Sequence, residues 1–360
     1  MKKLAIAIST ILLSSTVYAG NNAEVELVNA DDNTVNIFQL SPAVGNDADV
    51  LIKNSDDNDV DIYQMGRKNE AVVRARNGSD DNDLMIDQDG RHNRAVLKAR
   101  NGSDDNNFAI EQDGRRNLGK VLAYDSDNND ASIEQDGRRN KAVVDMSASD
   151  NNMLNTIEQD GRRNDANIIL DSANSNMGNT ITQDGRRNDA TIGIYGGSNN
   201  DTLTINQEGR RNDSTISVYG GTGNTALTDI NGNDNTTYTA FYAGASDNDT
   251  TINVLNNSTN NYAAAVVVGG MDNVTTVDMN NSHDNYAAVG QWGDLNTIDV
   301  DLTNSDSNGV FVGQFGNASM ATVSLNESSA NFIGVVQTNN DVATINLTNS
   351  NGNGVFVAQF

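Results

Sequence analysis

A chain of 360 residues with a formal charge of −26, a single proline and no cysteine does not read as a run of ordinary globular domains. Hydrophobic residues make up only 36% and aromatics 5%, too little to fill a thick core, so the chain is either disordered or spreads a thin core along a repeat. The acidity argues against nucleic acid as the main partner, and disulfides cannot hold the fold.

The first element is an address. Lys2 and Lys3 precede the apolar stretch 4–13, and Val17-x-Ala19 supplies a cleavage site, so residues 1–19 read as a secretory signal peptide. No later apolar run is long enough for a membrane helix, so no membrane span is expected. Residues 20–50 form an N-terminal segment, with Asn36-Ile-Phe-Gln39 opening a first divergent rung.

Residues 51–221 repeat regularly. The word QDGRRN stands at 112–117, 135–140, 159–164 and 183–188, with near-copies at 64–69, 88–93 and 207–212. The glutamines Gln64, Gln88, Gln112, Gln135, Gln159, Gln183 and Gln207 are 23 or 24 residues apart, a period that signals a solenoid or propeller-like array. Around Gln135, Ala131 and Ile133 alternate with Ser132 and Glu134. After the turn, Asn140, Ala142, Val144 and Met146 alternate with Lys141, Val143 and Asp145. Period 2 marks strands with one face inward, so each repeat is strand–turn–strand–turn. The glycines Gly66, Gly90, Gly114, Gly137, Gly161, Gly185 and Gly209 supply positive φ in the first turn, and runs such as NGSDDN (77–82 and 101–106) form the second. The fold class is all-β, a β-solenoid of stacked strand–turn–strand rungs of 23–24 residues.

The glutamines, together with Asn69, Asn93, Asn117, Asn140, Asn164, Asn188 and Asn212, fall on the inward set. A buried amide is costly unless bonded, and in a stack each can bond its copy one rung away. These residues are therefore expected to form a structural amide ladder. The arginine pairs point outward, and Glu134, Asp136, Glu158 and Asp160 on the same edge are expected to relieve their repulsion.

The pattern Q-x-G-x-x-N-x-A, as in Gln88, Gly90, Asn93 and Ala95 or Gln135, Gly137, Asn140 and Ala142, resembles the curlin repeat of curli amyloid fibres on bacterial surfaces. The resemblance implies a secreted structural subunit of an extracellular fibre serving adhesion and biofilm. Implied partners are further copies of the chain, a second curlin-type subunit and the curli secretion machinery. The family's second Gln, four residues after the Ala, is replaced here by residues such as Met146, Leu170 and Ile194.

Residues 222–261 are divergent, with Ile230 in the Gln slot and a phase slip expected. Residues 262–360 are Asn/Thr/Gly-rich repeats without Lys or Arg, in which Gln291, Gln314, Gln337 and Gln359 read as weaker copies of the same motif. No catalytic, cofactor or metal site is expected. His92 replaces a repeat Arg, and segments 220–227 and 125–130 lack key residues of calcium loops. Two alternatives stand beside the fibre subunit: a monomeric extracellular solenoid binding calcium or carbohydrate as an adhesin module, and an outer-membrane barrel strand at the final Phe360. The arginine edge is either a solubility device or a contact for acidic turns of a neighbouring rod or an anionic matrix polymer.

Overall fold

The computed structural model describes residues 20–42, 44–197 and 199–360; the signal peptide read at 1–19 lies outside the described residues. Two compact units divide the chain, one ending at Met177 and the other beginning at Gly178. Every strand pairing within each is parallel, unlike the antiparallel meander of an outer-membrane barrel. Among the described residues no helix is long and apolar enough to cross a membrane.

In the first unit, alternation builds the rung. The strand Asp130–Gln135 buries Ala131, Ile133 and Gln135, and after a corner Lys141–Ser147 buries Ala142, Val144 and Met146. Each strand pairs with the strand two along rather than with its sequence neighbour. Ile133 thus sits between Ile110 and Ile157, and Val144 between Val121 and Ile168. The result is two parallel sheets closing on a thin core, a β-solenoid. Like residues stack on like: Ile86, Ile110, Ile133 and Ile157 form one fully buried column. Each such side chain contributes about 1.5–3 kcal/mol on leaving water.

The corner after Gln135 explains the fixed glycine. Gly137 has φ 100°, and a Cβ there would collide with the carbonyl of Gly161 in the next rung. The backbone also turns left-handed at Arg139, with φ 61°, although an L-residue there costs roughly 1–2 kcal/mol. The stack holds it, since the N–H of Arg139 donates to the carbonyl of Arg115 at 3.0 Å.

The second unit is built in the same way, from strand pairs such as Asp189–Tyr195 with Asp213–Tyr219 and Thr297–Thr303 with Met320–Asn326. Around 222–261 the pairing continues through the expected slip. Ile230 stacks on Gln207 and then on Val254, and the register shifts only beyond it, where Gly232 faces Ser258. The additional residues are taken up at the corner by Asn256 and Asn257, both left-handed.

The C-terminal glutamines depart from the sequence expectation. Gln291 does not stack in the column of Gln207 and Ile230. It continues the column of Val218, Phe241 and Val267 in the opposite sheet, followed by Gln314 and Gln337. This is the slot four residues after the repeat alanine, as from Ala287 to Gln291. The motif still makes the same corner, with Gly293 at φ 108° and Asn296 buried, but at the other end of the rung. Q-x-G-x-x-N encodes a corner, and either corner can carry it.

Candidate functional site: amide ladders and charged corners

The predicted glutamines of the first unit are buried in a single row. Nε2 of Gln64 donates to Oε1 of Gln88 at 2.8 Å, and Gln88, Gln112 and Gln135 repeat the bond to Gln112, Gln135 and Gln159 at 2.7–2.8 Å. Gln39, from the divergent N-terminal segment, feeds the same row through Gln64. The second amide proton is used as well: Gln135 Nε2 donates across the core to the carbonyl of Leu118 at 3.1 Å. In the second unit Gln183 donates to Gln207 at 2.9 Å. Gln291, Gln314, Gln337 and Gln359 make a second row at 3.0–3.2 Å.

The predicted asparagines are equally buried but bond differently. Oδ1 of Asn93 accepts the backbone N–H of Asn117 in the next rung at 3.1 Å, while Nδ2 of Asn117 turns back to the carbonyl of Asp113 at 2.8 Å. The same rung-to-rung bond joins Asn69 to Asn93, Asn117 to Asn140, Asn140 to Asn164, and Asn188 to Asn212. These amides cap the corner and tie it to its neighbour; at Asn212 the Oδ1 also accepts Nδ2 of Asn235 at 3.3 Å, an amide-to-amide bond.

A true asparagine ladder lies at the other corner, where the sequence suggests only a solvated turn. Asn58, Asn82, Asn106, Asn129, Asn152 and Asn176 are buried. From Asn58 to Asn152 each Oδ1 accepts two N–H groups from the next rung: Asn82 Oδ1 takes the backbone N–H of Asn106 at 3.1 Å and its Nδ2 at 2.9 Å. A serine row runs beside it, with Ser55, Ser103 and Ser126 hydroxyls accepting backbone N–H groups at 3.1–3.2 Å. The available signal was the constant final Asn of runs such as NGSDDN. In the second unit Asp201 takes the asparagine slot of such a ladder, its Oδ1 accepting the backbone N–H and Nδ2 of Asn224 at 2.9 and 3.0 Å. Burial pushes its carboxyl up to about 6, only partly offset by those two bonds.

The arginines form two columns at the glycine corner, with Arg91, Arg115, Arg138 and Arg162 bridged in sequence. At Arg115, Arg116, Arg138 and Arg139 the expected ion pairs do not form: among the described residues none joins them to Glu111, Glu134, Asp113 or Asp136. The geometry is the reason. Parallel in-register stacking puts like over like, so arginine meets arginine. Arg116 foremost, then lost hydration and the Arg91 and Arg139 charges, lower the pKa of Arg115. Desolvation foremost, then Glu111, Glu158 and Asp136, raise that of Glu134. At about 4.8 Å in water, each like pair costs close to 1 kcal/mol. Arg211, the last basic residue, differs in holding Asp234 through two bonds at 2.5 and 2.7 Å. Among the described residues no group of three or more His, Asp or Glu could hold a metal ion.

A parallel two-sheet β-solenoid held by internal amide rows, with charged corners, is the architecture of a structural repeat protein. Residues 56–80, 79–114 and 127–154 match the curlin associated repeat, so this part of the chain carries curlin-type repeats. No curated protein matches it.

Proposed function

We propose that the chain is a secreted structural subunit that stacks end to end into a curli-type amyloid fibre, serving adhesion and the extracellular matrix. The observation that carries the reading is the rung-to-rung bonding. Adjoining rungs are joined by a parallel backbone ladder and a glutamine bond such as Gln112 to Gln135, and nothing in that bond requires both rungs to belong to one molecule. The same parallel, in-register pairing would join one copy to the next, and a second curlin-type subunit would be a further partner. The curli secretion machinery would export it.

The test is seeded growth of the purified chain 20–360, followed by sedimentation and electron microscopy. Filaments that elongate from sheared seeds, with reflections near 4.8 and about 10 Å, are expected. A chain that stays monomeric with and without seeds overturns the proposal, and calcium or glycan binding by that monomer would favour the adhesin module.

A further inference from the structure

The two outer faces of the second unit differ in kind. Six strands of one sheet, Thr236–Tyr242, Tyr262–Val268, Tyr286–Trp292, Gly309–Phe315, Phe332–Gln337 and Gly354–Ala358, contain no charged residue. Their outward positions are aromatic or small. Trp292, Phe311, Phe315 and Phe332 are 37, 40, 46 and 55% exposed, well beyond what an isolated surface ring needs for explanation. The opposite sheet carries Asp229, Asp249, Asp278, Asp299 and Asp301 on four of its strands, and only its last two, Met320–Asn326 and Val342–Thr348, are uncharged. There Asp299 is pushed up by lost hydration and then by Asp278 and Asp301.

The aromatic face is shaped as well as neutral. The Trp292 ring lies across Gly290, where a Cβ would come within 2.7 Å of it, and the Phe356 ring crosses Gly334 in the same way. Ridges of rings therefore alternate with glycine furrows. The rings also cover one another: Trp292 stacks on Phe315 at 4.7 Å and 11°, and Tyr262 on Tyr286 at 4.8 Å and 7°. A sugar platform needs free ring faces. Here much of each face is spent on the neighbouring rung, so ring edges and methyl groups are what a partner meets.

We propose that this face is a docking surface for the same face of a second copy, the two uncharged sheets packing one on the other. Charge favours this occupant. In a molecule of net charge −26, this sheet offers six consecutive strands on which two copies can meet without bringing strand carboxylates together. Size favours it too. Strands of five to seven residues span about 17–23 Å and six rungs about 29 Å, so a pair would bury about 1,200 Å² in total, at the lower end of the range of stable specific interfaces. Such a contact uses the same patch on both partners, so it closes at two copies, whereas end-to-end stacking does not close. The proposal therefore stands apart from the fibre reading.

The test is sedimentation of freshly purified, unseeded chain 20–360, comparing wild type with Phe311→Lys/Phe315→Lys. Thr322→Lys/Ser324→Lys on the opposite sheet serves as control, and Phe311→Thr/Phe315→Thr guards against misfolding by keeping strand-favouring residues. Wild type and control should sediment as two chains at micromolar concentration. Both face variants should run as one chain, at least tenfold weaker in pairing, with unchanged far-ultraviolet circular dichroism. Wild type that is monomeric throughout, or face variants that pair like wild type, overturns the proposal. A monomer that binds insoluble uncharged glucan, and loses that binding in the face variants, replaces it with a sugar surface. Open-ended growth without a two-chain step would support the fibre reading and refute this one.

Discussion

Asp201→Asn is expected to make the protein more stable at neutral pH and no more stable in acid. The unfolded carboxyl titrates near 3.8 and the folded one near 6. Below the lower value both states hold the proton and Asp201 costs nothing through ionisation. Between the two, only the folded state keeps its proton, so stability falls as pH rises. Above the upper value the full cost stands. Two pK units correspond to about 3 kcal/mol, the amount Asn should restore at pH 7–8. Asn also fits the bonds already present, since Asp201 accepts from Asn224 as Asn224 Oδ1 accepts from Asn248 Nδ2 at 3.0 Å. The assay is guanidinium unfolding of wild type and variant at half-unit steps from pH 3.5 to 8. The difference in midpoint should open between pH 4 and 6 and then stay level. A difference that is flat across the range, or largest in acid, would refute the reasoning.

Other substitutions test the remaining contacts. Gln135→Glu removes donors to Gln159 and Leu118 and buries a charge, at an effective cost of several kcal/mol that protonation relieves. Unfolding at pH 4 and pH 8 should therefore show far greater loss at pH 8, and equal loss would count against a buried row. Gly137→Ala must push a Cβ into the next rung's carbonyl, whereas Gly102→Ala at φ 61° meets open space. The first should lose more than about 3 kcal/mol in midpoint analysis and the second only about 1, and similar losses would undo the close-approach argument. Thr239 buries a hydroxyl that has no hydrogen-bond partner. Thr239→Val should add roughly 1–2 kcal/mol to thermal or denaturant stability, and a loss would indicate that the hydroxyl is satisfied.

Much of the rung was legible because its physics is local and repeated. Strand alternation placed Ile133 and Val144 inside, and Gly137 marked the corner. What stayed hidden depends on the third dimension. The buried role of Asn82 and Asn106 could not be told from ordinary turn chemistry, because a turn Asn and a ladder Asn differ only in which way the corner closes. The motif at Gln291 repeats the letters of Gln207, yet spacing from one glutamine to the next cannot say which corner is being turned. Charge balance misled for a related reason: Arg138 and Glu134 are neighbours in sequence, but in-register stacking gives each its own kind as nearest charge.

The column of Ile86, Ile110, Ile133 and Ile157 has a consequence for how the chain finds its structure. Rungs that stack this well on their neighbours stack nearly as well on the rung after, since four of them share the word QDGRRN. A strand that skips one repeat while folding meets the same isoleucine, the same glutamine and the same glycine furrow. Only irregularities report the mistake: the 23-residue step from Gln112 to Gln135 among the 24-residue steps from Gln64 to Gln207, the carboxyl at Asp201, the enlarged corner at Asn256 and Asn257. These departures from the repeat act as landmarks, and erasing them in favour of a perfect consensus would be expected to slow folding by trapping chains one rung out of place.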